Sequence, residues 1–107
     1  AIPPFSPAML KSPLYTVVVF AQAEPFATSP CADAVAAVAR HFSGERIWSF
    51  CHMPPSSHAR WWAFFEANRG GGVPTVLALR GTRNAYARMP EPADAAQFRA
   101  AMQAWLD

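Results

Sequence analysis

The segment Leu14 to Ala21, reading LYTVVVFA, leaves this chain little freedom in how it folds. It is β-branched and almost wholly apolar, so it offers no face to water. Such a strand belongs in the middle of a sheet covered on both sides, as in α/β proteins. The rest of the chain can supply the cover. Its 107 residues suit one domain, and hydrophobic residues make up 52% of it against 15% charged. That balance excludes a polar disordered tail. No apolar run approaches the roughly 20 residues needed to cross a bilayer, so no membrane span is expected.

Around that strand the punctuation divides the chain cleanly. Residues 1–13 carry Pro3, Pro4, Pro7 and Pro13 and predict an extended arm lying on the body or on a partner. Residues 14–107 form the domain. After a loop, Ser29 and Pro30 suit a helix start, and Cys31, Val35, Val38 and Phe42 recur at helical spacing until Gly44. Arg46 to Cys51 alternates as a second strand. Pro54 and Pro55 turn the chain, and Ser56 or Ser57 caps an aromatic helix running to about Arg69. The glycines Gly70, Gly71 and Gly72 stop it; no phosphate-loop lysine follows them.

Val73 to Leu79 reads as a third strand, Arg80 to Arg83 as a turn, and Asn84 to Met89 as the returning strand of a hairpin. Asp94 and Gln97 form a capping box ahead of a last helix with Phe98, Met102, Trp105 and Leu106 on one face. The order is β-α-β-α-β-β-α. The first two strands, joined by a helix, are expected to be parallel. The hairpin adds an antiparallel pair, giving a mixed four-stranded sheet flanked by helices.

Charge narrows the partners. Nine basic and seven acidic residues leave +2, and eight of the nine are arginines scattered along the chain. A nucleic-acid surface needs a denser stripe, so none is expected. The acidic residues are isolated, no nucleophile elbow or paired metal-ligand motif appears, and neither cofactor nor metal is expected.

The element order and two local motifs resemble the thioredoxin superfamily. Gly72-Val73-Pro74-Thr75 opens a strand after the second helix, where that family holds a cis-proline beside its active site; Pro74 would be that residue. Thr28-Ser29-Pro30-Cys31 resembles the family's Cys-Gly-Pro-Cys at the head of the first helix. The resemblance implies a substrate groove beside Val73, Pro74 and Cys31. Yet Thr28 stands in place of the attacking cysteine, and a threonine hydroxyl cannot be the thiolate that dithiol exchange requires. The expected function is therefore a thioredoxin-fold binding or assembly module for a protein or peptide partner.

The alternative is a thiol-disulfide oxidoreductase or peroxidase-type enzyme. Cys31 would be its nucleophile, activated at a helix N-terminus, with Thr28 matching the Thr-x-x-Cys of peroxiredoxins and Cys51 resolving. Cys31, just after the first strand, and Cys51, ending the second, are expected to share a sheet edge. A structural disulfide between them, closing about 20 residues and contributing roughly 3 kcal/mol, is the first expectation; a redox-active pair is the second. A third role, copper or metal binding, draws on Cys51, His52 and Met53, with Cys31 and His58 nearby.

Trp61, Trp62, Phe64 and Phe65 point in too many directions for one buried face. Trp61 with Phe65, and optionally Phe64, suit the core face, leaving Trp62 either as a candidate surface contact for a partner or as a ring that the proline-rich arm covers. A chain starting at Ala1 implies either removal of an export signal or another trimming of the start, and two cysteines lean towards an oxidising, periplasmic or otherwise extracytoplasmic setting. Abundant Ala, Arg and Pro suggest a bacterial source, where conjugation and secretion machinery is one setting for such modules.

Overall fold

The computed structural model describes residues 2–22, 25–45, 47–66, 74–90 and 95–106. The valine-rich segment becomes β1 (Tyr15–Phe20), followed by α1 (Ala32–His41), β2 (Trp48–His52), α2 (Ala59–Phe64), β3 (Thr75–Arg80), β4 (Ala85–Arg88) and α3 (Phe98–Leu106). The sheet order is β2-β1-β3-β4. β1 runs parallel to β2 and antiparallel to β3, and β3 pairs antiparallel with β4. The mixed four-stranded sheet expected from the sequence is the sheet observed.

β1 takes a central place because both its faces are apolar, and it divides the core by side-chain parity. Val17 and Val19 join Val35, Val38 and Phe42 of the α1 segment and Phe98, Met102 and Leu106 of α3. Val18 and Phe20 face the other way, onto Phe5, Cys51, Met53, Phe65, Leu77 and Leu79, beneath α2. Helices α1 and α3 thus cover one face of the sheet and α2 covers the other. The stripe Val35, Val38 and Phe42 is buried as its spacing predicts. So are Phe98, Met102 and Leu106, with Trp105 half-buried beside them.

The amino-terminal arm departs from the sequence reading in one respect. Residues 3–5 are extended and join the outer side of β2: the Phe5 N–H donates to the His52 carbonyl (2.8 Å), and the His52 N–H donates to that of Pro3 (3.0 Å). Pro7–Lys11 then forms a 3-10 helix. Proline does not forbid it, because Pro7 occupies the first helical position, where an N–H has no partner to lose, and the Ser6 hydroxyl accepts from Ala8 N–H. Phe5, buried, anchors the arm against Trp61 and His58, with ring centroids 5.0 and 5.4 Å away.

Helix ends also shift. Cys31 is the N-cap of α1 rather than a residue within it, and His58 rather than a serine precedes α2. Glu66 adopts φ 48°, the left-handed region, and closes the turn after α2. Asn84, at φ 50°, takes the same conformation in the β3–β4 hairpin, where asparagine is tolerated. Arg46, Gly70, Gly71, Gly72, Val73 and the capping Asp94 lie outside the described residues.

Gly81 locks the arm to that hairpin. A Cβ there would overlap the Leu10 carbonyl and come within 2.7 Å of the Leu10 Cα, backbone that cannot swing aside. Gly81→Ala is expected to destabilise the fold by about 1–3 kcal/mol in urea denaturation, because it drives the 3-10 helix off the hairpin. Gly44, with open space around it, is the control: Gly44→Ala stays within about 0.5 kcal/mol of the parent.

Candidate functional site

Three segments meet at one rim of the sheet. The parallel strands end there together, with Val19 opposite His52, and β3 begins there, with Thr75 opposite Phe20. Pro74, buried, immediately precedes β3. The loop from β1 to α1 returns over this rim through a 3-10 turn, Phe26–Thr28. Phe26 is buried and stacks on the His52 ring, centroids 4.7 Å apart and planes 9° from parallel. Thr28 is exposed, and its hydroxyl donates to the Pro25 carbonyl at 2.7 Å. The Ser29 hydroxyl accepts from Cys31 N–H at 3.2 Å, ordering the turn before α1.

Beside this loop opens a groove of about 540 Å³, walled by Ile2, Pro25, Phe26, Ala32, Ala36 and Pro54, with His52, Asp33 and Ser56 as its polar members. The composition suits a peptide more than a small polar substrate: apolar walls with a few polar groups at the margin. His52 also holds the arm, with Nδ1 lying 3.1 Å from the Ile2 carbonyl as donor. β2 runs one residue beyond the expected Cys51 to take in His52, and neither contact shows in the sequence. No local pattern encodes a partner fifty residues away.

The expected disulfide is corrected. Cys31 and Cys51 are both free and both buried. Adjacent strands do end on one rim, but adjacency is not enough. Cys51, in register with Val18, packs in the cluster under α2, whereas Cys31 packs with Val35 and Val76 under α1 and α3. The sheet lies between the two sulfurs.

Their chemistry follows from burial. Desolvation raises the Cys31 pKa from its ordinary value and pushes that of Cys51 up to about 12. The helix N-terminus favours the Cys31 thiolate by only about 0.3–1 kcal/mol, and withdrawal from water outweighs it. The same parity scatters the soft residues. Cys51 and Met53 point into the core under α2, while His52 points to Phe26 on the other side. Among the described residues no group of three or more His, Cys, Asp or Glu could hold a metal.

Trp62 is not the ring left at the surface. It is half-buried, edge-on to Phe20 with centroids 5.5 Å apart, and its indole N–H donates to the Met53 carbonyl at 3.1 Å. The exposed ring is Phe64, at 75%. One indole N–H with a buried acceptor decides which side of α2 turns inward.

No family model and no curated protein matches the chain. Among solved structures, the chain is similar to a thioredoxin z from chloroplasts, described as defining a type-specific target recognition. The likeness covers 99% of this chain and 96% of that one, with a TM-score of 0.55 and 16% identity. The fold is thioredoxin-like. Within it, Thr28-Ser29-Pro30-Cys31 leads into α1 and Pro74 leads into β3 at the same rim. The only cysteines are Cys31 and Cys51, so no Cys-x-x-Cys pair exists in the chain.

Two measurements check this site. In native protein a water-soluble disulfide reagent is expected to leave both thiols unmodified for longer than it takes to react with both in denaturant; prompt native modification of Cys31 contradicts its burial. The second concerns His52, whose pKa desolvation lowers from 6.5. The unfolded chain then takes up this proton first as pH falls. The stability from neutral His52 is whole above 6.5 and is lost as pH drops towards the lower folded value. The Tm is expected to fall between about pH 7.5 and about pH 5, and to fall less in His52→Gln, which keeps a donor for Ile2 but does not titrate.

Proposed function

We propose that this chain is a thioredoxin-fold binding module that docks an extended protein segment in the rim groove and does not exchange disulfides. The observation that supports it is a buried, unactivated thiol beside an open apolar groove. Dithiol exchange needs a thiolate in reach of its target and a second thiol to release the mixed disulfide. Cys31 has the geometry for neither step, while Ile2, Phe26, Ala32 and Ala36 remain available to apolar side chains.

The two halves of this reading separate experimentally. Reduction of insulin by the native protein is expected to match the uncatalysed background, with Cys31→Ser identical to the parent. Turnover that vanishes in Cys31→Ser refutes the proposal. For docking, a displayed library of extended peptides selected on the protein should yield binders that Ala36→Arg rejects by about tenfold or more, because the new side chain fills the groove. Equal binding by Ala36→Arg removes the rim as the site.

A further inference from the structure

The opposite end of the sheet carries a second surface with a different chemistry. β4 is the last strand and is exposed along its whole length. Met89 N–H donates to the Val76 carbonyl at 2.9 Å, so in this antiparallel pair Ala87 and Ala85 also face β3, opposite Ala78 and Arg80. Alternation turns the N–H and C=O of Tyr86 outward, away from the sheet. An edge of this kind is a template for another strand unless charge, proline or a covering loop blunts it.

Here the flanks invite a strand. On the α2 side a cleft of about 580 Å³ is walled by Trp61, Phe64, Phe65, Leu79 and Tyr86. On the α3 side a cleft of about 400 Å³ is walled by Tyr15, Trp48, Trp105 and Leu106. Ala85 and Tyr86 border both. A strand laid along β4 would send successive side chains to opposite faces, one into each cleft.

The charges are of one sign. Arg60 lines the first cleft, Arg80 and Arg83 the second, and no carboxylate among the described residues lines either. Glu45, which accepts from the Trp48 indole at 3.2 Å, stands outside both linings. Arg80 is held against Tyr15, its guanidinium carbon 4.9 Å from the ring centre and Nη1 donating to the hydroxyl at 3.1 Å. These contacts orient the cation without neutralising it. Arginine at a partly desolvated edge pairs best with carboxylates.

We infer that the outer edge of β4 receives an extended acidic segment of a partner protein, added as a fifth strand. Apolar residues at its centre fill the two clefts, and flanking carboxylates meet Arg60, Arg80 and Arg83. This site is separate from the rim groove and does not depend on its occupant.

The probe is the capped peptide Glu-Asp-Val-Phe-Leu-Asp-Glu, titrated into the full chain and followed by backbone amide shifts. The expected result is saturable binding with shifts centred on Ala85 to Arg88, weakened about tenfold or more by Arg83→Glu or Arg60→Glu and weakened by added salt. A copy with its central amides N-methylated cannot pair as a strand and is expected not to bind. The rim variant Ala36→Arg should bind like the parent. The proposal is overturned by the absence of saturation, by equal binding of the Lys-for-acid peptide, by equal binding of the N-methylated copy, or by shifts confined to the rim. Concentration-dependent shifts at β4 without peptide would assign the edge to a second copy and also overturn it.

Discussion

The side-chain parity of β1 is the constraint on which the rest of the structure depends. Within β1, Val17 and Val19 face one core and Val18 and Phe20 the other, all four without measurable exposure. At about 25 cal/mol per Å² of apolar surface, burying these four side chains is among the largest favourable contributions the chain can make. A one-residue slip against β2 or β3 would exchange their surroundings wholesale. Register is therefore fixed in the middle, and every other element takes its position from it.

That parity also decides the chemistry of the cysteines. β2 is in register with β1, so Cys51 follows Val18 into the α2 side, and Cys31 follows the α1 stripe to the other. The topology and the shared rim were legible in the sequence, because strand composition, helical spacing and Pro74 are local signals. Which face a strand residue takes was not. It requires knowing both the pairing register and which helix lies on which side, and the apolar run Val17 to Phe20 carries no polar face to reveal it.

The same limit explains the aromatic helix and the arm. The sequence marks Trp61, Trp62, Phe64 and Phe65 as too many rings for one face; Phe65 is buried as expected, whereas Phe64, an optional member of the core face, is the ring left outside. Choosing Trp62 for the surface failed because its indole N–H finds the Met53 carbonyl, a partner supplied by the chain leaving β2. The arm behaves alike. Its prolines announced extended backbone, but the tie from His52 to Ile2, and the close approach of Leu10 to Gly81, arise only once the sheet is assembled. Local pattern fixes elements, and tertiary hydrogen bonds then choose among their faces.

A thioredoxin-like rim with its thiol withdrawn from water is physically a different object from a reactive one. Activation of a cysteine at a helix N-terminus depends on amide donors and solvent both reaching the sulfur. Here Cys31 sits in the core with 3% of its surface exposed, so the dipole acts on a group whose charged form has lost its hydration. Phe26, stacked on His52, and the arm tied through Ile2 occupy the approach to the rim from the β2 side. What remains accessible is apolar wall rather than sulfur. Surfaces of that kind gain affinity by excluding water from a partner's side chains, and they do so without any bond being made or broken.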